Sequence, residues 1–156
     1  MKYSYFHPNI LCACEESGHI TIIDTFSEKL LTQNSENFNN TLNYHQINPI
    51  HKQSVHNNSI FDFEWCFSDN KILTASGDMS SLLINFENLS NVTTELMLIG
   101  HSKSIKSVKQ SFDDEMIVAT CGRDGLIFIW DLRTNNKKFC NKNCEAYKIP
   151  HIHVLI

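Results

Sequence analysis

Apolar and polar residues alternate in short blocks along this chain, and three of the blocks repeat one plan. Residues 116–131 read Met-Ile-Val-Ala-Thr-Cys-Gly-Arg-Asp-Gly-Leu-Ile-Phe-Ile-Trp-Asp: an apolar run, a polar turn and a second apolar run. Residues 70–85, Asn-Lys-Ile-Leu-Thr-Ala-Ser-Gly-Asp-Met-Ser-Ser-Leu-Leu-Ile-Asn, follow the same plan. So do residues 9–24, Asn-Ile-Leu-Cys-Ala-Cys-Glu-Glu-Ser-Gly-His-Ile-Thr-Ile-Ile-Asp. Such runs, rich in β-branched residues and separated by Gly with Asp or Ser, predict paired strands joined by a tight turn. Upstream of the two better copies lies a shared element, His-Asn-Asn-Ser-Ile-Phe-Asp-Phe-Glu-Trp-Cys-Phe at 56–67 and His-Ser-Lys-Ser-Ile-Lys-Ser-Val-Lys-Gln-Ser-Phe at 101–112. Ile60 to Trp65 and Ile105 to Phe112 have the apolar density of buried strands, closed by the turn signals Asp69-Asn70 and Asp113-Asp114. Each unit is therefore expected to hold three strands with a looser outer strand to follow. No helical period competes with this reading.

The turn residues Ser17, Asp78 and Asp124 stand 61 and 46 residues apart. The second spacing is close to the roughly 40–45 residues of a four-stranded propeller blade. The excess in the first falls in residues 32–49, an Asn-rich stretch with little apolar period that reads as an inserted surface loop. The expected organisation is a degenerate first blade at 1–25, an inserted loop at 26–49, a second blade at 50–98 and a third at 99–138. Residues 139–156 are expected to be a divergent tail or an outer strand. The predicted fold class is all-β, a partial β-propeller of about three blades that does not close into a ring. A closed seven-bladed ring needs on the order of 300 residues, so 156 residues predict a fragment of one.

Composition narrows the functional classes. With 42% hydrophobic and 10% aromatic residues, the chain has enough apolar surface for a core. No apolar stretch reaches the roughly 20 residues of a membrane helix, and residues 1–9 lack the apolar centre of a signal peptide. Neither a membrane nor the secretory route is therefore expected. The six cysteines, Cys12, Cys14, Cys66, Cys121, Cys140 and Cys144, are then expected to be reduced, the first four as small buried hydrophobes. The glycosylation triplets at Asn39, Asn57, Asn88 and Asn91 are expected by chance in an Asn-rich chain. The formal net charge of −4 conceals an asymmetry: residues 1–99 carry four Lys and eleven acids, residues 100–156 nine Lys or Arg and six acids. Lys103, Lys106 and Lys109 are the nearest approach to a basic stripe, and a solvated strand edge accounts for them better. No direct sequence-specific nucleic-acid binding is predicted. Cys140, Cys144, His151 and His153 form a candidate zinc set, but His-x-His is tighter than structural sites use. The expectation is no metal and no cofactor.

In the third unit, His101, Thr120, Asp124 and Trp130 are spaced as a WD repeat spaces its structural hydrogen-bond tetrad, with Gly100-His101 opening the unit and Trp130-Asp131 closing it. An indole N–H, a hydroxyl and an imidazole buried between strands must all find partners, and a carboxylate at the turn can end the chain. The resemblance implies that Trp130 donates to Thr120, Thr120 meets His101, and Asp124 fixes the imidazole. The second unit keeps His56, Thr74 and Asp78 but has Ile84 where Trp stands, and the first offers only Ser17, Ile23 and Asp24. A nucleophile relay also uses Asp, His and a hydroxyl, but the same set recurs at blade spacing and active sites do not repeat with their scaffold. No Gly-x-Ser-x-Gly elbow, His-Glu-x-x-His helix or phosphate-binding Gly-rich loop is present, and no enzyme is predicted.

Residues 56–65, Thr74-Ala-Ser-Gly-Asp78, Ile105-Lys-Ser-Val108 and Cys121-Gly-Arg-Asp-Gly125, with Trp130-Asp-Leu-Arg133 after them, resemble the amino-terminal blades of denticleless proteins. Glu15-Glu16-Ser17-Gly18 with Asp24-Thr25 fits the preceding blade, so the likeness covers about residues 3–138 less the insertion. Phe61-Asp62 with Lys106-Ser107-Val108 is more discriminating than the tetrad. The resemblance implies a non-catalytic substrate receptor of a cullin-RING ubiquitin ligase. Such a receptor docks on the ligase's propeller adaptor and directs ubiquitylation of sliding-clamp-bound replication and cell-cycle proteins in the nucleus. Failing a nuclear location, a cytoplasmic one is expected. Trp130, Asp131 and Arg133 match the Trp-Asp-x-Arg signature of adaptor docking. Two readings of Arg133 stand: a fork offered to a partner, or a rim residue paired with a neighbouring acid. The alternatives at chain level are a generic WD-repeat interaction scaffold and a non-functional truncated fragment.

Overall fold

The computed structural model of the chain describes residues 1–26, 49–67, 70–88 and 91–133. These residues form three antiparallel sheets and, among them, no helix. The first sheet runs β1 (Lys2–Tyr3), β2 (Ile10–Cys14), β3 (His19–Asp24) and β4 (His51–Ser54), in that order. The second runs β5 (Ile60–Trp65), β6 (Lys71–Ser76), β7 (Ser80–Asn88) and β8 (Asn91–Ile99). The third holds β9 (Ile105–Gln110), β10 (Ile117–Gly122) and β11 (Ile127–Asp131). Each sheet is a meander in which sequence neighbours pair, and none closes on itself. The architecture is a partial β-propeller.

Strand pairing corrects the expected blade boundaries. The second blade does not begin at residue 50, because β4 pairs with β3 from His19↔Ser54 to Ile22↔His51 and is the outer strand of the first sheet. The Asn-rich insertion therefore interrupts the first blade between its third and fourth strands rather than separating two blades. Likewise Ile99 belongs to the second sheet, opposite Ser80. Residues 27–48 and 134–156, with the candidate zinc set, lie outside the described residues.

Alternation sends each strand's side chains to two faces, and stacking makes two cores. Ile10, Cys12, Ile20 and Ile22 of the first sheet meet Phe63, Trp65, Ile72, Leu82, Ile84 and Phe86 of the second. On its opposite face the second sheet meets Ile105, Val108, Val118, Phe128 and Trp130 of the third through Leu73, Ala75, Leu83 and Leu98. Consecutive residues of β7 thus enter different cores, which is why Leu82-Leu83-Ile84 is unbroken apolar sequence. Burial pushes the Cys66 thiol up to about 12 and raises the partly exposed Cys121, while a hydrogen bond with Cys14 and then burial raise Cys12; Cys12 and Cys66 are core packing groups. The tight turn between second and third strands takes one left-handed residue per sheet: Gly18 (φ 80°), Met79 (φ 70°) and Gly125 (φ 75°).

Candidate functional site

The third sheet brings His101, Thr120, Asp124 and Trp130 together. The Trp130 indole N–H donates to Thr120 Oγ1 at 2.8 Å, and Thr120 Oγ1 lies 2.9 Å from His101 Nε2. His101 Nδ1 lies 2.9 Å from the Asp124 carboxylate, which also accepts the Ser102 and Leu126 backbone N–H groups. With Nδ1–H directed at Asp124, the Nε2 lone pair takes the Thr120 hydroxyl proton, so the chain of donors runs one way from indole to carboxylate. Burial raises the Asp124 carboxyl, and the Ser102 N–H, His101 and Leu126 N–H outweigh it, leaving a net shift below the ordinary range. Trp130 and Thr120 are each 1% exposed. The hydroxyl is enclosed and already accepts the indole N–H, so it has no face open to a substrate.

The second sheet repeats the arrangement without an indole. His56 Nε2 lies 2.7 Å from Thr74 Oγ1, and His56 Nδ1 lies 2.8 Å from Asp78. Ile84 stands opposite Ile72 as Trp130 stands opposite Val118. The Thr74 hydroxyl turns instead to β7, accepting the Leu82 N–H at 3.2 Å where the β6–β7 ladder has ended. Burial dominates His56 and lowers its pKa despite Asp78, so the imidazole is held neutral. Trp65, the other tryptophan, reaches across to the first sheet and donates to the Lys2 carbonyl at 3.1 Å.

Asp131 and Arg133 lie at the opposite end of the sheets from Asp124, because β11 runs away from its turn. Arg133 is exposed, and its Nη2 meets both Asp114 oxygens at 2.6 and 2.7 Å while Nη1 is 3.4 Å from Asp131. The Arg133 guanidinium holds the Asp114 carboxyl below its ordinary range. Leu132 packs against the second core, so one side chain anchors this corner and the next presents a planar cation. The same end carries an exposed aromatic row, one ring from each turn after an inner strand. Tyr5 stacks on Phe67 at 6.3 Å between centroids, and Phe67 meets Phe112 edge-on at 5.7 Å. Phe112 is 87% exposed and lies beyond β9, which corrects its expected place in a buried strand.

Sequence reading also missed a charged ladder across the inner strands. Lys2, Glu64 and Lys109 hold equivalent register positions, opposite Cys12, Leu73 and Ala119. Glu64 pairs with Lys2 at 3.0 Å and Lys109 at 2.5 Å, and Tyr5 donates to it at 2.9 Å. Asp62 accepts Lys2 at 2.9 Å, the Ser107 hydroxyl at 2.8 Å and the Val108 N–H at 3.3 Å, while Lys2 also donates to the Phe63 carbonyl. Burial raises both carboxyls, and these donors overcome it to leave each below its ordinary range. Lys106 Nζ sits 3.0 Å from the centroid of the Phe61 ring. The discriminating pairs Phe61-Asp62 and Lys106-Ser107-Val108 are thus contacts between two inner strands. Among the described residues no group of three or more His, Cys, Asp or Glu could hold a metal ion.

Residues 92–131 match the family described as WD domain, G-beta repeat, a segment running from β8 to β11 and so joining two sheets. Protein lethal(2)denticleless of Drosophila melanogaster is 33% identical over 131 residues, covering 81% of this chain and 15% of that protein. Cell division cycle protein cdt2 of Schizosaccharomyces pombe is 31% identical over 132 residues, covering 81% of this chain and 25% of that protein. The Homo sapiens denticleless protein homolog is 35% identical over 83 residues, covering 53% and 11%. The chain thus spans a quarter or less of the length of each of these three relatives.

Proposed function

We propose, from the premise that the chain belongs to the denticleless family of WD-repeat proteins, that it is part of a non-catalytic substrate receptor of a cullin-RING ubiquitin ligase. In this reading the rim at Asp131 and Arg133 docks on the ligase's propeller adaptor, and Trp130, expected as a third docking residue, is instead buried beneath it with its indole on Thr120. The receptor contributes position and effective concentration toward sliding-clamp-bound replication and cell-cycle proteins, and the ligase's other subunits perform the transfer. The setting is nuclear. Arg133 supports the reading: an exposed planar cation, held in place by Asp114 and Asp131, on the end that also carries the aromatic row Tyr5, Phe67 and Phe112. Arginine and aromatic residues carry most of the energy in protein interfaces.

A second reading has its own observation. The two-oxygen contact of Arg133 with Asp114 is what a rim strut in a general WD-repeat scaffold requires. Titration of the adaptor with wild type, Arg133→Ala and Arg133→Lys separates them. Docking predicts at least a tenfold loss of affinity in Arg133→Ala, about 1.4 kcal/mol, and only partial rescue by Lys, whose point charge cannot form a fork. Equal affinity of wild type and Arg133→Ala overturns docking through this residue and leaves the scaffold.

A further inference from the structure

The inner strands β5 and β9 carry the same irregularity. Ile60 stands opposite Ser76 and Asp62 opposite Ala75, which leaves Phe61 as an extra residue. Ile105 stands opposite Gly122 and Ser107 opposite Cys121, which leaves Lys106 as the extra residue at the equivalent place. A bulge takes its extra residue out of the ladder and re-aims the side chain, and here the two side chains meet. Lys106 Nζ lies over the Phe61 ring, 3.0 Å from its centroid, and the ring is still 45% exposed. The ring face holds the ammonium in place and leaves its charge uncancelled.

Charge at this corner is unbalanced. Among the described residues Lys2, Lys52, Lys71, Lys109 and Arg133 each sit against a carboxylate, whereas Lys103, Lys106 and Arg123 do not. These three cations lie together. The Arg123 backbone N–H donates to the Ser104 carbonyl at 2.8 Å, tying the β10–β11 turn to the loop that carries Lys103 and leads into Lys106. The Lys106 ammonium is held below its ordinary range by desolvation first and then by the Arg123 guanidinium. Nearby acids are engaged elsewhere: Asp124 with His101 and the Ser102 and Leu126 N–H groups, Asp78 with His56 and Ser80, and Asp62 with Lys2, Ser107 and Val108. Like charges gathered without a counter-ion cost the fold energy and suit an anion. The corner lies at the turn end of the sheets, opposite Arg133. Sheets in this fold stack face against face, so the corner does not depend on where the chain ends. Residues 134–156 carry four Lys and one Glu, which adds cations rather than the missing anion.

We propose that this corner binds a phosphoserine or phosphothreonine in a peptide segment of a partner protein, with the Arg123 fork and the Lys103 and Lys106 ammonium groups on the phosphoryl oxygens. A phosphoryl group brings about two negative charges and three acceptor oxygens to one place, which suits two point charges and one planar fork. A nucleic-acid strand fits less well. Its backbone calls for cations along a stripe and its bases for an open ring on which to stack, whereas these cations are confined to one corner and Lys106 covers the face of Phe61. The site is independent of adaptor docking, which uses the other end of the sheets.

Fluorescence anisotropy with the full chain tests the proposal on three labelled probes: a short peptide with a central phosphoserine between acidic residues, the same peptide with serine, and a single-stranded oligonucleotide of equal charge. Wild type is expected to bind the phosphopeptide about tenfold tighter than the serine peptide. Arg123→Gln and Lys106→Gln should each weaken phosphopeptide binding about tenfold, and Arg123→Lys less, because the charge remains without the fork. Lys71→Gln, which removes a cation paired with Glu95 on the second sheet, should leave it unchanged. Wild type that binds the two peptides equally, or binds neither, overturns the proposal. So do Arg123 and Lys106 variants that bind as wild type does. An oligonucleotide that binds as tightly as the phosphopeptide, and weakens in the same variants, also overturns it and marks a nucleic-acid surface. If Lys106→Gln shifts the urea midpoint by disturbing β9, Arg123→Gln and Lys103→Gln carry the test, with the same outcomes required.

Discussion

Replacing Thr120 by Val keeps the side chain's shape and removes the one oxygen that joins two buried groups. The Trp130 N–H, 2.8 Å from that oxygen, and His101 Nε2, 2.9 Å from it, both lose their partner. With Trp130 1% and His101 5% exposed, water cannot replace it. An orphaned buried polar group costs about 1–3 kcal/mol, so two predict a loss of about 2–6 kcal/mol, a large share of the roughly 5–15 kcal/mol that holds a typical domain folded. Thr120→Ser is the control: it keeps the hydroxyl and deletes one buried methyl, about 1 kcal/mol. Urea unfolding followed by tryptophan fluorescence reads both as shifts in midpoint at constant slope. In a Trp130→Phe background the indole orphan no longer exists, and the same Thr120→Val change should cost about 1–3 kcal/mol less. A Val variant within about 0.5 kcal/mol of wild type, or no worse than Ser, refutes the hydrogen-bond chain as the support of this sheet.

Stability should also fall as pH drops below neutrality. The His56 pKa is depressed by burial, so its contribution is complete above the unfolded value of about 6.5 and is lost as pH falls through the lower folded value. Urea midpoints from pH 7.5 to 5 should show this slope, and His56→Gln should flatten it. Met79 holds the left-handed turn position that glycine holds in the other two sheets. Met79→Gly should therefore raise stability by about 0.5–1 kcal/mol in thermal melts, and a lower midpoint would contradict this. Asp62→Asn weakens three contacts that tie the inner strands of all three sheets, and a loss of about 1–3 kcal/mol is expected in urea. No loss would mean that the ladder is ornamental.

Much of this architecture is legible because the inner three strands of the second and third sheets, and β2 and β3 of the first, bury at least one face and so carry a period in the sequence, whereas the two-residue β1 does not. The turn residues and the His–Thr–Asp spacing add to it, since a polar group buried at a recurrent place demands recurrent partners. The outer strand β4 is different: His51-Lys-Gln-Ser54 is largely exposed and has no apolar period, and its membership in the first sheet follows only from pairing. The ladder from Lys2 to Lys109 is set by stacking geometry, across 60 residues of sequence between Lys2 and Asp62. Aligning the three inner strands on their turns would have exposed the alternation Lys2, Glu64, Lys109. The aromatic row was hidden for the opposite reason. Phe112 reads as an apolar strand end and Phe67 as an apolar residue just past one, and hydrophobicity alone does not say that a ring stands outside the core. The Asp114 partner of Arg133 had no signal beyond being one of several acids in its turn.

The Arg133 rim carries the functional account, and a comparison of two variants addresses it most directly. Arg133→Ala removes the fork, whereas Asp114→Asn removes its charged tether and leaves the fork in place. Adaptor affinity and urea midpoint are measured on both. The account predicts at least a tenfold loss of affinity in Arg133→Ala, affinity retained or raised in Asp114→Asn, and midpoints of both near wild type, as for exposed ion pairs. Affinity unchanged in Arg133→Ala, or affinity that falls in both variants in step with their stability, would contradict it.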